Sequence, residues 1–194
     1  MEQKVDELLR DVMALGAKSA ASLPAEEIPT DRRFRDACVQ NACGYYGRCW
    51  VCPPDAGDID ALIRSLGAYT TAVVFQTVSD IEDSFDIEGM HDAALRHNAL
   101  VRRVKARARA LFPADETLTL GAGACGVCDT CAKVTGEPCR FPAEACPSME
   151  AYGVAVSALA PLCGMRYIHG PNTVTYFGMV LLGRKAQQEA DGAQ

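Results

Sequence analysis

Three cysteines two residues apart, Cys125, Cys128 and Cys131, followed by Cys139, constrain this 194-residue chain more than any other feature. Thiolates at that spacing wrap one face of a small inorganic core, and a fourth from beyond a turn closes it, as in the cysteine runs of bacterial ferredoxins. A tetrahedral zinc site ordinarily takes two close pairs separated by a longer loop, so the triplet suits zinc less well. A second set lies upstream at Cys38, Cys43, Cys49 and Cys52, the last followed by Pro53 and Pro54. Its intervening spacings of four, five and two residues again offer four thiolates within one short loop. A proline after the final cysteine turns the chain away from the group it ligates. Two of the ten cysteines remain: Cys146, before Pro147, is an alternative closing ligand, and Cys163 sits among apolar residues as a small hydrophobe.

The opening residues Met1, Glu2, Gln3, Lys4 and Val5 lack the basic flank and apolar run of a signal peptide. No apolar stretch reaches the ~20 residues of a membrane-spanning helix. A cytoplasmic protein with no membrane partner is therefore expected, and there clustered thiols stay reduced and ligate metal rather than pair as disulfides. A net charge of −6, from 19 basic and 25 acidic residues, argues against nucleic acid as a partner. The length and the 49% hydrophobic content are those of one folded domain spanning 1–194 with a core of its own.

Val5, Leu8, Leu9, Val12 and Met13 recur at helical spacing and predict an amphipathic helix over roughly 2–22. Asp58 caps a short helix carrying Ile59, Leu62, Ile63 and Leu66, and the β-branched run Thr70 to Val78 reads as a strand. Leu100, Val104, Ala108 and Leu111 share one face of a helix over roughly 92–112, followed by a second strand at Thr117 to Leu120. Strand, helix and strand in this order suggest a βαβ unit. Ser148 opens a further helix to about Ala160, and Met165 to Ile168 and Thr173 to Leu182 read as two strands around a turn. The last ten residues are polar and expected to fray. The sum is an α+β fold, a small mixed sheet with packed helices, carrying cysteine-rich loops at 38–54 and 121–147.

Arg96, Arg102, Arg103, Lys105, Arg107 and Arg109 lie on the long helix with no acid between Asp92 and Asp115. Bases toward a helix C-terminus suit its dipole, and the same stretch, 96–109, offers a docking face for an acidic redox partner. Gly121, Gly123 and Gly126 mimic a dinucleotide fingerprint, but the cysteine triplet stands where its helix should begin. Small residues there let backbone N–H groups approach metal-bound sulfur. His91 and His97, six apart, do not share a helix face, and His169 lies in a turn. Arg140 is a donor beside Cys139. Glu150 reads as a first-turn acid, or as a carboxylate that moves protons beside a cluster.

Together these pieces carry a resemblance. The Cys38 to Cys43 pair, Tyr46-Gly47, Trp50-x-Cys52-Pro53-Pro54, the Cys125/Cys128/Cys131 triplet, Cys139-Arg140-x-Pro142, Pro147-Ser148-Met149-Glu150-Ala151-Tyr152-Gly153 and Thr175-Tyr176-Phe177-Gly178 span most of the chain. In them the chain resembles the predicted metal-binding proteins, a cysteine-rich family of unknown function found mainly in anaerobic bacteria and archaea. The resemblance implies metal binding, with iron–sulfur ligation the usual suspicion, and it carries over to Cys38, Cys43, Cys52, Cys125, Cys128, Cys131 and Cys139. A first site without Cys49 would leave one iron open.

The reading that follows is an iron–sulfur protein with two [4Fe-4S] clusters, one on Cys38, Cys43, Cys49 and Cys52 and one on Cys125, Cys128, Cys131 and Cys139, in intracellular electron transfer. Two alternatives stay open: a zinc-stabilised structural or interaction module, and an iron–sulfur enzyme with substrate at an open iron.

Overall fold

Two long, largely apolar strands, β2 (Tyr69–Asp80) and β4 (Thr173–Arg184), form the centre of a four-stranded sheet in a computed structural model that describes residues 1–184. The polar tail expected to fray lies outside the described residues. β1 (Ser19–Pro24) and β3 (Thr117–Leu120) are the edges, in the order β1-β2-β4-β3, and every pairing is antiparallel. Side chains alternate across the pleat: Ala72, Val74, Met179 and Leu181 enter one core, while Val73, Phe75, Val180 and Leu182 enter the other. Both faces are covered, so both strands read as nearly continuous apolar runs rather than as alternating ones.

Helices α1 (Glu2–Ala14) and α4 (Ile87–Leu111) cover one face through Val5, Leu8, Val12, Leu100, Val101 and Val104. The other face takes Leu66 of α3 (Ile59–Leu66), Val156 and Leu159 of α5 (Val156–Leu162), and Met149 just before a 3₁₀ turn at Glu150–Tyr152. Asp58 caps α3 as its sequence requires, accepting from the Ala61 N–H at 2.9 Å. Asp86 does the same for α4, accepting from Gly89 at 2.8 Å, which starts that helix earlier than its apolar periodicity suggests.

The α+β class is as expected, with four local differences. The sheet is antiparallel rather than mixed: β2, α4 and β3 do form a βαβ crossover, but β4 inserts between its two strands. The opening helix stops at Ala14 because Gly16 turns the chain at φ +110°, and residues 19–24 ladder onto β2 instead. The helix expected from Ser148 is broken at Gly153, whose φ is +73° and whose absent Cβ would sit 2.8 Å from Ile63 Cδ1. Met165 is buried, but Arg166, Tyr167 and Ile168 are exposed and unpaired by any strand, so β4 stands without the expected partner at 165–168.

Candidate metal centre

Both cysteine-rich segments are long connections held at their bases by backbone hydrogen bonds. Where β3 ends, Gly121 donates to the Pro147 carbonyl at 2.8 Å and accepts from the Met149 N–H at 3.0 Å, closing the base of the second loop. Inside it, Gly123 and Gly126 take φ of +65° and +63°, a region that side-chain-bearing residues avoid, and no helix follows β3. α4 fastens the loop from the side: Asn98 Nδ2 donates to Ala124 O at 3.4 Å, Lys105 Nζ to Ala145 O at 2.8 Å, and an Arg109 nitrogen to Ala143 O at 3.3 Å. Other cations of this helix also bond within the protein. Arg107 pairs with Asp11 and Glu7 of α1, and Arg103 donates to Leu15 O at 3.2 Å. Arg96 is exposed.

The first loop starts from α2 (Phe34–Val39), which carries Cys38. Asn41, at φ +54°, bends it and accepts from the Tyr46 N–H at 3.0 Å, while Gly47 donates to Pro53 O at 2.8 Å. From the same helix the Arg35 guanidinium donates to Gly57 O at 2.8 Å and Ala151 O at 3.4 Å, tying this loop to the turn that bears Glu150. A separate clamp joins the two loops directly. Trp50 Nε1 donates to Glu137 O at 2.9 Å, Lys133 Nζ lies 4.3 Å from the centroid of the Trp50 ring, and the same ammonium meets Asp55 Oδ1 at 2.5 Å. Neither Lys133 nor Asp55 stands out in the sequence, because nothing local marks two charges 78 residues apart as partners.

All ten cysteines are free thiols, and the loops sort eight of them onto two cavities. Cys49, Cys125, Cys128, Cys131 and Cys139 line a cavity of about 320 Å³, together with Tyr45, Arg48 and Phe141. Cys38, Cys43 and Cys52 line a second cavity of about 280 Å³, with Pro53, Tyr46 and Glu150. Tyr45 and Ala124 belong to both linings, so the cavities are neighbours. The spacing groups Cys49 with its own loop, yet this buried residue faces the other cavity, as a strict count along the chain could not reveal. Among the described residues no three Cys, His, Asp or Glu side chains gather tightly enough to hold a single metal ion.

The thiols are electrostatically unequal. The Cys52 thiol, the N–H groups of Cys125 and Val51 and the Cys131 thiol all turn hydrogen-bond donors on Cys49, which holds its pKa well below the ordinary thiol value against the cost of burial. Its partner Cys52 is correspondingly pushed up, by that same bond and by burial. Burial also raises Cys38 and Cys125. Cys146 is buried beyond both linings. Its pKa is raised by burial while Lys105, Arg102 and Arg109 oppose, and its N–H bonds to the Cys125 sulfur. Cys163 packs beside the core, as expected of a small hydrophobe.

The donor chemistry fits a thiophilic metal group: eight thiols on two adjoining cavities, five and three, are soft ligands of the kind that bind iron–sulfur clusters, zinc or copper. Of the other ionisable residues singled out for chemistry, only Glu150 lines either cavity. His97 is buried in the core, its Nδ1 2.9 Å from Thr77 Oγ1, between the Phe75 and Tyr176 rings. His169 lies 3.3 Å from Gln76 Oε1, and Arg140 donates to Thr130 O at 3.3 Å, bracing the triplet's loop. Glu150 is half-buried as a residue, but burial of its carboxyl raises its pKa against hydrogen bonds from its own N–H and Ser148. No helix among the described residues is long and apolar enough to cross a membrane.

A family model described as "Predicted metal-binding protein (DUF2284)" matches residues 21–182, which takes in both loops and the sheet apart from the first two residues of β1 and the last two of β4. No curated protein and no solved structure matches the chain.

Proposed function

The chain belongs to that family of predicted metal-binding proteins, and from this premise we propose that it is an iron–sulfur protein holding two [4Fe-4S] clusters and passing single electrons to a partner. The observation that carries the reading is the partition of eight thiols onto two adjoining cavities. Cys125, Cys128, Cys131 and Cys139 would hold the group in the larger cavity, and Cys38, Cys43 and Cys52 the group in the smaller. Cys49 stands between them, its sulfur in reach of Cys52 and Cys131.

Bound clusters of this kind supply one-electron transfer at potentials set by charge, hydrogen bonds to sulfur and exposure. The chain's part is to set those terms. Gly123 and Gly126 let backbone amides approach, Lys105, Arg102 and Arg109 place positive charge around Cys146 next to Cys125, and Tyr45 with Ala124 separates the cavities by a thin wall. An acidic partner would dock along 96–109, where Arg96 and Arg103 are exposed.

The test is anaerobic purification followed by an absorbance spectrum and metal analysis of one sample. Two cubanes require about eight irons per chain and a broad visible band that bleaches on reduction. Cys128→Ala and Cys38→Ala should each remove about half of that iron. A colourless protein carrying zinc, or iron unchanged in both variants, overturns the proposal.

A further inference from the structure

The smaller cavity holds three thiols, one short of a closed cluster, and a carboxylate lines it beside them. Glu150 is the one acidic side chain in that lining, among apolar neighbours such as Pro53, Ala124 and Ala151. Among the described residues no lysine, arginine or histidine forms an ion pair with it. A carboxylate drawn out of water with no cation beside it is costly unless it meets a proton or a metal. Its position is nevertheless firmly made. Ser148 Oγ accepts from the Ala151 N–H at 3.1 Å, Tyr152 donates to Met149 O at 3.1 Å, and Arg35 reaches across from the Cys38 helix to Ala151 O. Glu150 also borders a third cavity of about 330 Å³, walled by Tyr167, Tyr176, Phe177 and Val156, and with Gly123 it is common to this cavity and the thiol cavity.

We propose that Glu150 is the fourth ligand of the group held by Cys38, Cys43 and Cys52, and that it is exchangeable: a small neutral or anionic donor entering from the aromatic cavity takes its place. The inference rests on the iron–sulfur reading above. A hard carboxylate oxygen suits a thiolate-bound iron less well than sulfur does, so it is the corner that yields. In the exchange the iron–carboxylate bond breaks and an iron–donor bond forms, with no change in electron count. The freed carboxylate keeps its hydrogen bond from Ser148.

Cyanide is the probe, on anaerobically purified full-length protein. Mössbauer spectra of the wild type should show one iron of about eight with an oxygen-ligated signature, and cyanide should shift it. Glu150→Cys should remove that signature and abolish the cyanide response. Glu150→Gln should keep the iron but respond to a roughly tenfold lower cyanide concentration, since the competing ligand is gone. Uniformly thiolate-ligated iron in the wild type, or cyanide responses equal in all three proteins, would each overturn the assignment. Should Glu150→Cys fail to fold by circular dichroism, the Glu150→Gln titration decides alone. Absence of iron from the wild type would remove the iron–sulfur reading and this inference together, whereas full iron with no Glu150 effect removes only the latter.

Discussion

Lys133→Met should loosen the metal site while leaving the sheet intact. The ammonium meets Asp55 Oδ1 at 2.5 Å with side-chain exposures of 24% and 17%, and Asp55 Oδ2 is already buried without a partner. Removing one member of a fully buried pair costs about 3–5 kcal/mol, because the other charge is stranded. Residual exposure of this pair brings that down to about 2 kcal/mol, and losing the cation over Trp50 adds about 1 kcal/mol. The pair joins two loops rather than two core elements, so the ~3 kcal/mol falls on local opening and leaves global unfolding nearly unchanged. Metal release to a chelator under anaerobic conditions should therefore accelerate roughly 100-fold, with little change in the urea midpoint. Lys133→Met with Asp55→Asn removes the stranded charge and should recover most of the difference. A coupling below about 0.5 kcal/mol in that double-mutant cycle, or release within about twofold of the wild type, would refute the idea that this clamp holds the loops together.

His97 should make the protein acid-sensitive: burial lowers its pKa from 6.5 to about 4, so the unfolded chain binds more protons between those values. The stabilisation is complete above pH 6.5, is lost as pH falls toward 4, and amounts to about 3 kcal/mol in all; urea titrations at several pH values should show this fall in the wild type and not in His97→Gln. Gly178→Ala should cost about 2–3 kcal/mol in the same titrations, since the added Cβ would lie 2.4 Å from Phe75 Cζ in a filled core; an unchanged midpoint would contradict the packing. Charge reversal of Arg96 and Arg103 to Glu should slow reduction by an anionic reductant such as dithionite, and most at low ionic strength. A rate indifferent to both substitutions and salt would reject the docking stretch.

The parts of the fold legible in the sequence are those whose signals are local. Asp58 before an apolar stripe, β-branched residues from Thr70 to Val78, and the spacing of Leu100, Val104 and Ala108 each report on their own segment. β1 is not legible in the sequence because Ser19–Pro24 is short and built mostly of small residues, and becomes a strand only by pairing with Thr71–Gln76. Residues 165–168 read as a strand for the converse reason: their side chains suit one, but both sides of β4, the expected hairpin partner, are taken by β2 and β3. Gly153 broke an expected helix through a tertiary crowding by Ile63 that no periodicity records.

The same division runs through the candidate site. Cysteine count, clustering and the triplet's spacing determine that two loops each gather several thiols, because reach within a loop is a matter of residue number alone. Which thiols share a cavity was decided in three dimensions. Cys49 crosses to the triplet's side, and Glu150 arrives beside Cys38, Cys43 and Cys52 from about a hundred residues away along the chain, because Arg35, the Gly121 to Ser148 bridge and the Lys133–Asp55 clamp fold the loops against one another.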